Sequence, residues 1–328
     1  MFAARFVKSY INLQNIHFCL HTRKLVTKTS HHVQVSELCI EGQKYYTDEW
    51  TNVPPHILSL VPRKIYKQSG NPLNIITTSI HEYFKDYPQF EFSSPVVSVE
   101  DNFDSLLVSK DHVSRSKSHT YYVNKNYLLR CHTSAHQAHC LHKGVDSFSC
   151  IADVYRRDAI DRSHYPCFHQ CEVFKLFSTN DLNVSSIFNK STKERSEECQ
   201  EGYTEESTKH VEHHLKSTVE GYIKYLLGIE TKTRWVSAYF PFTHPSFELE
   251  INHNGKWVEI LGCGVVEQKL LEQCQRRDQI GWAVGFGLER LAMIKFSIPD
   301  IRLFWTNDTG FLTQFKRLKH TDSYEYKP

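Results

Sequence analysis

Two periods of apolar residues alternate along this chain. In "NPLNIITTSIHEYFKDY", Ile76, Ile80, Tyr83 and Phe84 recur at helical spacing behind Asn71, a capping residue, and Pro72 at the first helical position, so the stretch predicts a helix. Val211, Leu215, Val219, Tyr222 and Leu226 keep the same spacing over a longer run and predict a second. Elsewhere the period is two. Strand-like runs cover residues 94–107 and 120–129, and recur in "FSCIADVYRR", "FHQCEVFKLF", "YFPFTHPSFELEI", "KWVEILGCGVV" and "GWAVGFGLERLAMIKF", the last passing from strand into helix. Between them, residues 178–207 are rich in Ser, Asn, Lys and Glu and predict a mobile surface insertion. There is no internal repeat.

The strand patterns place unusual residues on single faces. "FSCIADVYRR" and "FHQCEVFKLF" flank about ten residues too polar for a core, which predicts an antiparallel hairpin with a long loop. Side chains alternate across a strand, so Phe168, Gln170 and Glu172 share one face while Cys171 and Val173 take the other. Arg156 falls on the face of Val154 and Asp158. An aromatic plate, an amide, a carboxylate and a guanidinium can together stack a base, grip an ammonium and hold a carboxylate or phosphate. The plainer alternative is an ion pair between Arg156 and Glu172 that merely ties the hairpin. In "IGWAVGFGLER", Gly281, Ala283 and Gly285 line one strand face and Trp282, Val284 and Phe286 the other; a row without bulk in a buried sheet predicts a ligand or another backbone against it. Arg290 then enters the first turn of a helix, where an anion such as phosphate is already favoured. The glycines do not make a dinucleotide fingerprint, because G-x-G-x-x-R lacks the third glycine and no βαβ unit surrounds it.

Phe240 and Phe242 are read as sharing a strand face, with Pro241 turned away, either as the walls of a pocket for another ring or as core residues. Glu259, between apolar neighbours, is expected to be buried and to need a partner such as magnesium or a ribose hydroxyl. His132, His136, His139, Cys140 and His142, with Cys167, His169 and Cys171, match no zinc-ligand spacing, so no zinc is expected. Ser134, His136 and Gln137 in "HTSAHQ" are instead expected to offer polar side chains to the same pocket.

Composition narrows the class. With 328 residues, 40% of them hydrophobic and 23% charged, the chain can bury a sizeable core. Its ten cysteines are scattered without C-x-x-C spacing, which predicts reduced thiols. No apolar run approaches the roughly 20 residues that span a bilayer. Residues 1–36 carry Arg5, Lys8, Arg23, Lys24 and Lys28 but no acid before Glu37, the pattern of a mitochondrial presequence. Without that segment Lys plus Arg falls from 39 to 34 against 37 acids, a net charge near −3, so a nucleic-acid partner must meet a local basic patch.

Taken in order, these segments resemble the class II aminoacyl-tRNA synthetases. "VYRRDAIDRSHYPCFHQCE" resembles motif 2, "GFGLERLAM" resembles motif 3, and the segment around Pro95 resembles motif 1. "LLRCHTSAHQ", "YFPFTHPSFELEI" and "LGCGV" with "PDIRLFW" narrow the resemblance to the single-chain, mitochondrial type of phenylalanyl-tRNA synthetase. It implies an α+β fold: a class II catalytic domain over residues 37–315, with an antiparallel sheet of six or seven strands flanked by helices. It also implies an ATP-dependent ligase of the mitochondrial matrix, monomeric and not membrane-bound, that joins phenylalanine to tRNA(Phe) with magnesium accompanying ATP.

By the same resemblance Arg156 contacts the α-phosphate and the substrate carboxylate, and Arg290 contacts the γ-phosphate. Phe168 stacks on adenine, while Ser163, His164 and Tyr165 lie over the triphosphate. Gln170, Glu172, His132 and Ser134 match the ammonium site, with Ala135, His136 and Gln137 beside them. Phe240, Phe242, Ala283 and Val284 match the phenyl pocket. Three departures stand out: Val113 replaces the proline usual in "DHVSR", Val284 and Phe286 vary the motif 3 strand, and residues 316–328 diverge where the family continues into a ferredoxin-like anticodon-binding domain. That domain and any editing module are expected to be absent. Two other readings stay open: a synthetase-like protein that binds phenylalanine or a nucleotide without efficient tRNA charging, and a zinc-stabilised structural protein.

Overall fold

The computed structural model describes residues 36–191 and 193–328; the presequence expected over residues 1–36 lies almost wholly outside them. Among the described residues the strands in chain order are β1 (Glu37–Ile40), β2 (Gln43–Tyr46), β3 (Gln89–Glu91), β4 (Val96–Ser98), β5 (Tyr122–Asn124), β6 (Tyr127–Leu129), β7 (Ser147–Tyr155), β8 (Cys167–Phe177), β9 (Thr233–Phe240), β10 (Thr243–His253), β11 (Lys256–Val266) and β12 (Ile280–Gly287). The main sheet has seven strands in the order β3-β7-β8-β12-β11-β10-β9. Every pairing in it is antiparallel except the edge pair β3–β7, which is parallel. β1 and β2 form a hairpin, and β4-β6-β5 form a small separate sheet.

The helix behind Asn71 spans Pro72–Tyr83, and the Asn71 side chain accepts from the Leu73 amide at 3.0 Å, as a capping residue should. Ile76 and Ile80 are fully buried. The long helix, Glu205–Leu227, buries Val211, Leu215, Val219, Tyr222 and Leu226 against one face of the main sheet, where Tyr222 meets Phe286 edge-on and His214 Nδ1 accepts from the Trp282 indole N–H.

Several segments depart from their simple periodicity, each for a local reason. The run 94–107 is a strand only through Ser98, whose hydroxyl accepts from the Asp101 amide at 2.9 Å and starts a short helix carrying Glu100 and Asp101 in its first turn. The run 120–129 is a hairpin, because the Asn124 side chain accepts from the amides of Asn126 and Tyr127 and turns the chain. "YFPFTHPSFELEI" is likewise two strands, with Pro241 and Phe242 forming the turn between β9 and β10. The polar segment 178–207 is anchored to the body of the protein: Ile187, Cys199 and Tyr203 are buried, and Gln200 donates to the main chain of His244 and Val266.

One buried ionic cluster ties the segments before β7 to the main sheet. Arg130, wholly excluded from solvent, donates to the Asp153 carboxylate at 3.1 Å and to the Asp153 carbonyl at 2.9 Å. Lys64 reaches the same carboxylate at 3.2 Å, and the Tyr155 hydroxyl donates to it. Burial alone would raise the Asp153 pKa, but Arg130 and Lys64 hold it below the usual carboxylate range. Asp153→Ala leaves the Arg130 charge buried without its partner and is expected to cost about 3–5 kcal/mol in stability. Urea unfolding of the purified chain measures this, and a loss below about 1 kcal/mol would show that the cluster is not a structural tie.

Candidate active site

A cavity of about 930 Å³ opens on the face of the main sheet opposite the long helix. Alternation along β8 sends Phe168, Gln170 and Glu172 to it, while Cys171 and Val173 enter the helix-side core. Of the residues singled out in the sequence, His132, Ser134, Arg156, Ser163, His164, Tyr165, Phe168, Gln170, Glu172, Phe240, Phe242, Glu259, Ala283, Val284 and Arg290 border it. Ala135, His136 and Gln137 do not.

Glu172 is 2% exposed and takes hydrogen bonds from Ser134 Oγ at 2.8 Å, from Thr133 Oγ1 at 3.3 Å and from the Gln137 amide. All three donors are neutral. Burial therefore prevails over these hydrogen bonds, and the carboxyl pKa is pushed up to about 7. The ion pair with Arg156 that would have made the hairpin self-contained is not formed. Beside Glu172, Gln170 Oε1, Gln137 Oε1 and His132 Nδ1 are buried without a partner among the described residues. Of these, Gln170 and His132 border the cavity, so an acid without a cation and an unpartnered amide oxygen face a space that a ligand bringing donors and positive charge would complete. His132 does not supply that charge, because burial and then Arg156 push its pKa down to about 3. His136 sits behind the wall, stacked at 3.6 Å on Phe92 and accepting from Arg130 at 2.7 Å.

Arg156, half-buried at the end of the β7 strand, donates through Nε to the Cys131 carbonyl at 2.9 Å, and its guanidinium lies 5.1 Å from the centre of the Phe168 ring. Its terminal NH₂ groups have no partner among the described residues. Arg290, in the first turn of the helix Leu288–Phe296, donates to the Glu259 carbonyl at 2.8 Å and pairs with the Glu259 carboxylate at 3.4 Å. Glu259 is a correction to the sequence reading. Its side chain is 47% exposed, because Glu250 pairs with Glu259 and Leu249 with Leu261, leaving Ile260 as an extra residue that breaks the alternation.

The floor is the bare stretch of β12. A Cβ on Gly285 would find nothing nearer than Glu172 Oε2 at 4.0 Å, and one on Gly287 nothing nearer than Arg290 Cβ at 4.0 Å, so both face open space. Gly281 differs: a Cβ there would stand 2.3 Å from the Lys175 carbonyl, which is close backbone packing. Phe240 and Phe242 wall the cavity with their rings 6.3 Å apart, and Phe240 lies so close to Gly262 that a Cβ there would overlap it. Val284 borders the cavity, yet it shares its strand face with Trp282 and Phe286 in the helix-side core. Over the mouth, Asp161 accepts from the amides of Ser163 and His164 at 2.7 and 2.8 Å, and Tyr165 stacks on Trp305 at 5.4 Å.

Two contributors escaped the sequence reading. Thr133 is one; its neighbour Ser134 drew attention, but two adjacent hydroxyls on one turn of 3₁₀ helix were not read as reaching the same acid. Glu289 is the other, 2% exposed, bordering the cavity and masked by Arg290 beside it. Among the described residues no group of three or more His, Cys, Asp or Glu side chains is arranged to hold a metal ion, and no helix is long and apolar enough to cross a membrane.

Comparison with known proteins agrees with this architecture. The family model of the tRNA synthetases class II core domain (F) matches residues 57–194 and 200–315. The mitochondrial phenylalanine–tRNA ligase of Rattus norvegicus is 45% identical over 84% of this chain and 61% of its own length, so the chain spans less than two thirds of that relative. The mouse enzyme of the same name is 44% identical over 89% of this chain and 68% of its own length, and that of Saccharomyces cerevisiae 35% over 87% and 73%. The crystal structure of the pyrrolysyl-tRNA synthetase of Desulfitobacterium hafniense superimposes with a TM-score of 0.50 at 14% identity, over 77% of this chain and 78% of its own, which bears on the fold alone. The chain belongs to the class II tRNA synthetases, in the family of the phenylalanine–tRNA ligases.

The raised Glu172 pKa has a stability consequence. A carboxyl with a folded pKa of about 7 against an ordinary 4.5 stabilises the fold fully below pH 4.5 and loses that contribution as pH rises through 7. Glu172→Gln abolishes this titration, so the stability of the variant relative to the parent should rise between pH 4.5 and 7 by up to the order of 3 kcal/mol. Urea midpoints at pH 5 and pH 8 test it; an unchanged difference would mean that Glu172 is ionised at pH 5.

Proposed function

We propose that this chain is a mitochondrial phenylalanine–tRNA ligase: it activates phenylalanine with ATP and passes the phenylalanyl group to tRNA(Phe). The observation that carries the substrate class is Glu172, a buried acid with neutral donors only, next to unpartnered acceptors and an aromatic wall. An α-ammonium supplies the missing cation and donors, and a phenyl ring fills the space bounded by Phe240, Phe242 and Ala283. The kinship with mitochondrial ligases supports the reaction and the compartment, and the lack of acids in residues 1–36 accords with import.

The chemistry needs no protein nucleophile. A carboxylate oxygen of phenylalanine attacks the α-phosphorus of ATP, the bond to the bridging oxygen breaks, and pyrophosphate leaves. The 3′-terminal ribose hydroxyl of tRNA then attacks the acyl carbon, and AMP departs with the electron pair. The residues position the reactants and offset charge. Glu172 and Gln170 hold the ammonium with His132 and Ser134 around it, fixing the carboxylate near Arg156. The free NH₂ groups of Arg156 span that carboxylate and the α-phosphate, where negative charge builds up in the transition state. Phe168 stacks on adenine, Ser163, His164 and Tyr165 cover the triphosphate, and Arg290 receives the γ-phosphate. Magnesium travels with ATP as part of the substrate, and Glu259, open to the cavity beside Arg290, is the carboxylate suited to meet it. The protein acts as a monomer in this reading.

Phenylalanine-dependent exchange of labelled pyrophosphate into ATP tests the first step, and acylation of tRNA(Phe) tests the second. Arg156→Ala should slow exchange by about 10²–10³, the loss typical of one oxyanion-stabilising donor. Parent-like exchange in that variant removes Arg156 from the reaction, and no exchange in the parent removes the assignment itself.

Pocket shape gives a separate expectation. Phe240, Phe242 and Ala283 include no polar group that an enlarged substrate would leave unpaired, so size alone limits the ring that fits, and a hydrophobic wall of this kind rejects even an added hydroxyl by only about 10². Ala283→Gly should therefore activate para-chlorophenylalanine while retaining phenylalanine. If it gains none, Ala283 is not at the para end of the ring.

A further inference from the structure

At the edge of the cavity, Glu289 makes a contact with His169 behind it that neither the phenylalanine site nor the phosphate contacts require. Glu289 Oε2 accepts from the His169 main-chain amide at 2.9 Å, and Oε1 from the ring Nδ1 at 2.6 Å. Both side chains are buried, His169 completely. His169 lies between Phe168 and Gln170 on β8, and Glu289 immediately precedes Arg290 at the start of the helix Leu288–Phe296. One carboxylate thus bonds to the strand that carries the adenine plate and belongs to the helical turn that carries the phosphate arginine. The ring of His169 is itself held between Tyr66 at 5.1 Å and Trp305 at 5.7 Å, and Trp305 stacks on Tyr165 of the loop over the mouth.

The register of β8 and β12 cannot set this spacing alone. Their ladder ends at Gly287 opposite Gln170, so Phe168 and Arg290 both lie beyond the last paired residues. The Glu289 clamp is a direct hydrogen-bonded connection between the two elements past that point. By contrast, Glu172 is within the ladder and is held by Ser134, Thr133 and Gln137 from another segment. The two ends of the cavity are therefore braced independently.

We infer that Glu289 is a positioning residue for ATP: by holding both N–H groups of His169 it sets the distance between Phe168 and Arg290, and so the affinity for the nucleotide but not for the amino acid. This rests on the function proposed above. In Glu289→Gln, a side-chain amide offers one acceptor to two N–H donors and turns its own NH₂ toward one of them. Losing a charged hydrogen bond of this kind should raise the ATP KM in pyrophosphate exchange about tenfold, with the phenylalanine KM changing less than about twofold. A general loosening of the fold would move both constants together.

Two replacements of His169 keep the test decisive if Glu289→Gln folds poorly. His169→Asn retains a side-chain N–H for Glu289 and should stay within about threefold of the parent ATP KM, whereas His169→Leu removes the donor and should match Glu289→Gln. Equal constants for the Asn and Leu variants, or a joint rise in both KM values, would overturn the clamp. Calorimetric titration with ATP alone reads the same differences in affinity without turnover. A parent that binds ATP but shows no exchange would therefore fail the proposed function while the ATP affinities of the variants still decided the role of Glu289.

Discussion

Strict two-residue alternation along β8, held between β7 and β12, ties the core and the cavity of this protein together. β7 and β12 flank it, so its backbone polar groups are used in ladders and its side chains have only two directions to go. Cys171 and Val173 go into the helix-side core, and Phe168, Gln170 and Glu172 into the cavity. A slip of one residue would exchange these sets, turning the three cavity-facing side chains into the apolar core and opening two apolar ones to the cavity. Core stability and site geometry are thereby the same requirement, and the long helix Glu205–Leu227 enforces it from behind.

Three buried acids illustrate how surroundings assign roles to identical groups. Asp153 is matched by Arg130 and Lys64 and held below the usual range, so its charge is spent on structure. Glu289 binds one histidine through two N–H groups and joins two elements. Glu172 has hydroxyls and an amide but no cation, and burial lifts its pKa to about 7. A buried acid left without a counter-charge is costly, and here that cost is located on the wall of the cavity, where a cationic group of a ligand would remove it.

The sequence made a large part of this legible, and the failures have distinct causes. The helix behind Asn71 and the long helix carried their caps and apolar faces in local sequence, and local interactions are sufficient to form them. The partition of β8 and β12 into two faces followed from alternation. The breaks within the runs 94–107 and 120–129 were hidden because turns depend on single hydrogen bonds, such as those to Ser98 and Asn124, while periodicity averages over several residues. Segment 178–207 looked loose because its anchors Ile187, Cys199 and Tyr203 are sparse among polar residues.

Which residues could share a face was readable from the chain: Phe168 with Gln170 and Glu172, and the small residues of β12 with one another. That follows from backbone geometry, which is the same in any strand. Which groups meet across elements, and which stay unpaired, emerged only when the elements packed together. Arg156 turned to the Cys131 carbonyl instead of Glu172, the extra residue Ile260 left Glu259 half exposed at the cavity beside Arg290, and Thr133 and Gln137 arrived at Glu172 from a distant segment. Such encounters depend on the packing of elements far apart in the chain, and whether a buried charge is satisfied or waits for a ligand is a property of the assembled surroundings, not of the residue.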